Sequence, residues 1–181
     1  MSLLYTVAYP EISPADSSFI QKFRQQNDLP YRDVIKTLFT LVFGCQAIKE
    51  SDYRAHIQDI ASACAPIHFC CRYAMLGADD QDGTAYVFLV PDEGYSHLSL
   101  LHDRLYTGIL ESHLRLQIPF IPHITIGTLK DWKLAKSLCD GLNQRGLEMK
   151  GVVTTLTVGK RENGTFKNLS VQTLGTPAHA P

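Results

Sequence analysis

The chain has 181 residues, 45% hydrophobic and 19% charged, which is enough apolar material for one compact core and too little charge for disorder. Its 17 basic and 18 acidic residues leave a net charge of −1, so no general attraction to duplex DNA is expected and any phosphate contact must be local. Residues 1–5 lack the basic stretch of a signal peptide, and the longest apolar run, 38–43, is too short to span a bilayer, so a soluble, cytoplasmic protein without a membrane partner is expected.

In chain order, residues 3–9 alternate as a strand, and 15–27 read as a helix after the start signal Ser13-Pro14. Residues 38–44 form a second strand, 51–65 an amphipathic helix carrying Tyr53, His56, Ile57, Ile60 and Cys64 on one stripe, and 67–76 a third strand. After a turn over 77–83, the pattern predicts a strand at 85–90, a leucine-rich helix over 95–114 and a strand at 123–128. A helical stripe of Trp132, Ala135, Leu138, Cys139 and Leu142 follows, then a strand at 152–160 joined through a Glu162-Asn163-Gly164 turn to a last strand at 166–174.

The order β-α-β-α-β thus occurs twice, over approximately 1–77 and 84–175, with 176–181 as a tail. Spacing supports duplication: 67 minus 38 and 152 minus 123 both give 29, and the halves superpose at an offset of 85, which is 123 minus 38. The expected architecture is a single bilobal α+β domain, with pseudo-twofold units whose antiparallel sheets line a central cleft.

The chemistry concentrates in Pro119-Phe120-Ile121-Pro122-His123-Ile124-Thr125-Ile126-Gly127. A strand turns alternate side chains to opposite faces, so His123 and Thr125 point one way while Ile124 and Ile126 point into the core. An imidazole exchanges protons near neutral pH, and a threonine hydroxyl can donate to a phosphoryl oxygen. Taken alone, His-x-Thr recurs by chance in strands, where it is commonly a half-buried histidine bonded to a carbonyl.

In its setting the segment closely resembles the second His-hydrophobic-Thr-hydrophobic motif of the 2H phosphoesterase superfamily, the 2′-5′ RNA ligase-like and cyclic phosphodiesterase-like proteins. The resemblance extends over nearly the whole chain through element order and spacing. It implies metal-independent, cofactor-free phosphodiester chemistry on 2′,3′-cyclic phosphates, RNA ends or small nucleotides. One histidine would act as general base and the other as general acid, while the threonines hold phosphoryl oxygens.

At the 85-residue offset the first motif should lie in Thr37-Leu38-Phe39-Thr40-Leu41-Val42-Phe43-Gly44. Thr40 stands where a threonine belongs, and Leu38 occupies the position of the histidine. Proton removal from the nucleophile and proton delivery to the leaving oxygen need two groups, so loss of one should cost roughly 10²–10⁴-fold in rate. Lys36, two residues before Leu38, would share the Thr40 face if the strand extended that far, and could steady phosphate charge there. A solvated lysine at the strand entrance is the plainer alternative.

His56, His68, His97, His102, His113 and His179 have no partners at metal-ligand spacing and read as structural or exposed. Cys45, Cys64, Cys70, Cys71 and Cys139 read as reduced core thiols, with no metal site implied. Lys160, Arg161 and Lys167 flank the last hairpin and could line one mouth of the cleft. Two functions stay open: a phosphodiesterase impaired or altered at Leu38, or a catalytically degenerate module that binds nucleotide or RNA-end phosphate. Base, sugar, ligand length and oligomeric state have no readable code in the sequence.

Overall fold

The computed structural model describes residues 3–28, 30, 36–79, 83–162 and 165–175. The first half supplies β1 (Leu3–Ala8), the short β2 (Glu11–Ile12), α1 (Pro14–Asn27), β3 (Phe39–Cys45), α2 (Glu50–Ser62) and β4 (Ile67–Asp79). The second supplies β5 (Thr84–Glu93), α3 (Tyr95–Leu105), β6 (Ile124–Leu129), α4 (Trp132–Gln144), β7 (Met149–Val153), β8 (Thr155–Glu162) and β9 (Thr165–Thr173). Residues 80–82, the Asn163-Gly164 tip of the last hairpin, His179 and the rest of the tail lie outside the described residues.

Helix ends follow local chemistry. Pro14 opens α1, where its fixed φ is preorganised and its missing N–H costs nothing, and the Ser13 hydroxyl accepts from the Asp16 amide at 3.0 Å. At the start of α4 the Asp131 carboxylate accepts from the Lys133 and Leu134 amides at 2.9 and 3.2 Å. Asp131→Ala is therefore expected to destabilise the protein by about 1 kcal/mol, measured by denaturant unfolding.

All nine strands join one antiparallel sheet in the order β2-β7-β4-β5-β6-β3-β1-β8-β9. Strands β7 and β8 are consecutive in the chain, with only Thr154 between them, yet they sit near opposite ends of this order. The sheet must therefore curl until its two ends approach. Strands also cross between the halves: β4 from the first pairs with β5 and β7, whereas β8 from the second pairs with β1.

The register shows the duplication residue by residue. In one half Ala8 opposes Phe39, Val7 opposes Thr40 and Thr6 opposes Val42, skipping Leu41. In the other, Leu89 opposes Ile124, Phe88 opposes Thr125 and Val87 opposes Gly127, skipping Ile126. Each residue in the first set maps onto the second at a fixed offset, 85 on one strand (124 minus 39) and 81 on the other (88 minus 7), bulge included. The two motif strands, β3 and β6, meet at the sheet centre through one bridge, Phe39 to Ile124, and these are themselves equivalent residues. The pseudo-twofold axis therefore runs between the two motif strands.

Helices α1 and α3 pack on the equivalent strands β6 and β3, while α4 packs on β4–β5 and α2 on β8–β9. Between helices and sheet lies one core, with Phe39, Leu41, Ile124 and Ile126 from the central strands and Tyr53, Ile57, Leu98, Leu101, Ala135 and Cys139 from the helices. All five cysteines are buried free thiols, and burial pushes Cys45 up to about 11. Among the described residues no His/Cys/Asp/Glu group could hold a metal ion, and no helix is long and apolar enough to cross a membrane.

Strands β4 and β5 run on through Asp79 and Glu93, so β4 takes up the start of the turn expected over 77–83, and two further boundaries depart from expectation. The helix read over 95–114 ends at Leu105, because Gly108 takes a left-handed φ of 55° and the chain resumes as a 3₁₀ turn, Gly108–His113. The strand read over 152–160 is two strands. At Thr154 the chain leaves β4 for β1, and the Thr154 hydroxyl and carbonyl are taken up by Glu11 and by the Leu174 amide, at 2.6 and 2.8 Å. Its apolar run carries no punctuation at that exchange.

Candidate active site

One face of the curled sheet is buried under the helices; the other lines an open cleft of about 1720 Å³. The period of two decides which residues reach it: Leu38 and Thr40 on the β3 side, Tyr86 and Phe88 on β5, and His123 and Thr125 on the β6 side. Their neighbours Phe39, Leu41, Val87, Leu89, Ile124 and Ile126 are fully buried behind them. A chamber of about 160 Å³ shares Lys36, Leu38, Thr40, Tyr86, His123 and Thr125 with this cleft and adds Arg24, Asp28 and Thr128. Every residue predicted for the site therefore lines one small space.

His123 has fixed surroundings. Its Nδ1–H donates to the Ile121 carbonyl at 2.6 Å, and since a carbonyl only accepts, Nδ1 carries the proton and Nε2 is left as the acceptor of the neutral ring. Phe88 stacks on the imidazole with centroids 3.8 Å apart, and Tyr86 stacks on Phe88 at 5.5 Å, so an aromatic column sets its orientation. Burial lowers the His123 pKa below its ordinary 6.5, only partly countered by the Ile121 carbonyl. At neutral pH the ring is uncharged, the state in which Nε2 can take a proton.

Leu38 is half-buried in the same chamber and offers no group for proton transfer. Lys36 is exposed at its edge, in reach of solvent as well as of the chamber. Arg161 and Lys167 line the wide cleft, but Lys160 does not and instead faces Glu162 at 3.7 Å. Of the remaining histidines, His56 bonds the Leu105 carbonyl at 2.9 Å, His68 and His97 are exposed and His113 is half-buried. His102 is buried, donates from Nδ1 to the Leu41 carbonyl at 2.8 Å and stacks on Phe120 at 3.7 Å, bracing β3 against the loop before His123.

Sequence reasoning missed Arg24, Asp28, Tyr86, Phe88 and Thr128. Tyr86 and Phe88 stand out as alternate aromatics on β5, but the cross-strand partners Thr128 and Thr125 come from the register alone. Strict alternation would put Thr128 on the face opposite His123. The bulge at Ile126 adds one residue and reverses the phase, so Thr125 and Thr128 share the chamber. Arg24 and Asp28 form a buried i,i+4 ion pair at the end of α1 that the helix's apolar spacing does not mark.

The model of the 2′-5′ RNA ligase superfamily matches residues 10–165. No curated protein matches the chain significantly. Among solved structures, E. coli LigT in apo form is similar with a TM-score of 0.58 and 18% identity, covering 97% of this chain and 98% of that one. LigT complexed with 3′-AMP gives 0.54 and 15%, covering 97% and 99%, and Kluyveromyces marxianus Usb1 gives 0.53 and 11%, covering 96% and 98%. At such identities the likeness is one of fold, while the family match spans most of the chain. The chain belongs to the 2′-5′ RNA ligase superfamily, the 2H phosphoesterases.

Proposed function

We propose that this protein is a metal-independent phosphodiesterase acting on a 2′,3′-cyclic phosphate or another nucleotide or RNA-end phosphodiester, with His123 as general base and Thr40 and Thr125 holding phosphoryl oxygens. The observation that carries this reading is the free Nε2 of a neutral His123, in the same chamber as both threonine residues. Lys36 at the chamber edge adds positive charge near the phosphate. The structures of LigT with 3′-AMP and ATP and of Usb1 with uridine monophosphate support a nucleotide phosphate as ligand.

The test is product formation from 2′,3′-cyclic nucleotides as a function of pH. A base works in its neutral form, so the rate should reach a plateau at alkaline pH and fall on acidification. Because burial lowers the His123 pKa, the midpoint of that fall should lie below 6.5. A profile with no limb of this kind, or no turnover at all, would remove His123 from the role.

Leu38 favours a second reading, in which the site binds nucleotide phosphate and does not turn it over. Calorimetric titration with nucleoside monophosphates, giving saturable binding without product, would select it over catalysis.

A further inference from the structure

The Arg24–Asp28 pair lies beneath the site, 6% and 1% exposed. Arg24 directs both Nε and Nη2 to the same carboxylate oxygen, Oδ2, at 2.8 and 2.7 Å. The other oxygen, Oδ1, is left without a hydrogen-bond partner among the described residues. Thr128 Oγ1 is a second buried oxygen without a partner, and it lines the same chamber. Of the three such side-chain oxygens among the described residues, two therefore belong to residues that line this chamber. Burying polar atoms unpaired is costly, so two of them on residues lining one chamber call for a small polar group there that can satisfy both.

The chemistry of the lining identifies that group. Asp28 Oδ1 and His123 Nε2 can only accept, while the Thr128 hydroxyl can donate. A phosphoryl oxygen would suit Thr128 but be repelled by Asp28, and an alcohol carries one proton for two acceptors. Water has two protons and lone pairs to spare. At about 160 Å³ the chamber has room for roughly five waters, or for a phosphoryl group with a water beside it.

We propose that Asp28 and Thr128 form the binding pocket for the attacking water, and that the reaction is accordingly hydrolysis. This rests on the reading of His123 as base. The water donates one hydrogen bond to Asp28 Oδ1 and one to His123 Nε2 and accepts one from Thr128. Its oxygen attacks phosphorus as His123 Nε2 takes the proton, and the bond from phosphorus to the ribose oxygen breaks. That oxygen is protonated from solvent or Lys36 at the open edge, His123 returns its proton to solvent, and a phosphate monoester remains. Arg24 fixes the Asp28 carboxylate and is a positioning residue.

The experiment follows 2′,3′-cyclic nucleotide cleavage by the unaltered protein, Asp28→Asn and Thr128→Val in water and in water–methanol mixtures. Removing a contact that places the nucleophile should lower kcat by roughly 10²-fold with little change in KM. The unaltered protein should form monoester almost exclusively, and both variants should shift toward the methyl diester as selection for water is lost. Thr128→Val removes no charge, so it tests the pocket even if Asp28→Asn leaves Arg24 destabilising the fold. Turnover in which both variants keep the rate and product ratio of the unaltered protein overturns the water pocket alone. Absence of turnover by the unaltered protein overturns the reading of His123 and this inference with it.

Discussion

Replacing His123 with alanine is expected to lower cyclic phosphodiester cleavage by roughly 10²–10⁴-fold, the usual contribution of a positioned acid or base. The loss should fall on kcat, because the phosphate contacts proposed for Thr40, Thr125 and Lys36, which line the same chamber, are left in place. His123→Gln separates hydrogen bonding from proton transfer: a glutamine amide can contact the nucleophile but cannot take its proton. Both variants should therefore lose the acid limb of the pH profile along with most of the rate. Phe88 loses its stacking partner in either case, so folding should be checked by thermal unfolding alongside the kinetics. Turnover that persists unchanged in His123→Ala would place the chemistry elsewhere.

Leu38→His is expected to act in the opposite direction and raise kcat by up to roughly 10²–10⁴-fold. Phe39 and Ile124 form the central bridge, so the residues immediately before them, Leu38 and His123, stand in equivalent places on the two sides of the axis, and both line the chamber. A histidine at 38 would supply the proton for the leaving oxygen that the site otherwise draws from solvent or Lys36. The rate should then depend on one group being neutral and another charged, converting a single acid limb into a bell. A folded Leu38→His protein with neither the gain nor the bell would mean that the first half has diverged beyond this one position.

Legibility in the sequence followed distance along the chain. His123 and Thr125 are two residues apart, and a strand's alternation alone brings them to one face. The 85-residue offset located Leu38 and Thr40 because both halves kept the same spacing, and the matching bulges at Leu41 and Ile126 show how closely the backbone kept it too. Arg24 and Asp28 were not legible because α1 reaches β6 through tertiary packing, which no local pattern records. Thr128 was hidden by the bulge, which breaks the period used to find it. The end of α3 was overrun because leucines continue through Leu110 and Leu114, and Gly108 was the overlooked stop signal.

The exchange of strands at Thr154 sets the order in which the protein can assemble. Strand β4 emerges from the ribosome with neither of its neighbours, β5 and β7, yet synthesised, and β1 waits for β8 until the chain is almost complete. One edge of β4 is covered by β5 as soon as residues 84–93 follow, but the other stays open until β7 is made at 149–153, the condition that invites pairing with another chain. Co-translational folding in two successive steps is closed to this topology; an N-terminal fragment ending at Asp79 should remain unstructured or aggregate until the second repeat is supplied in trans.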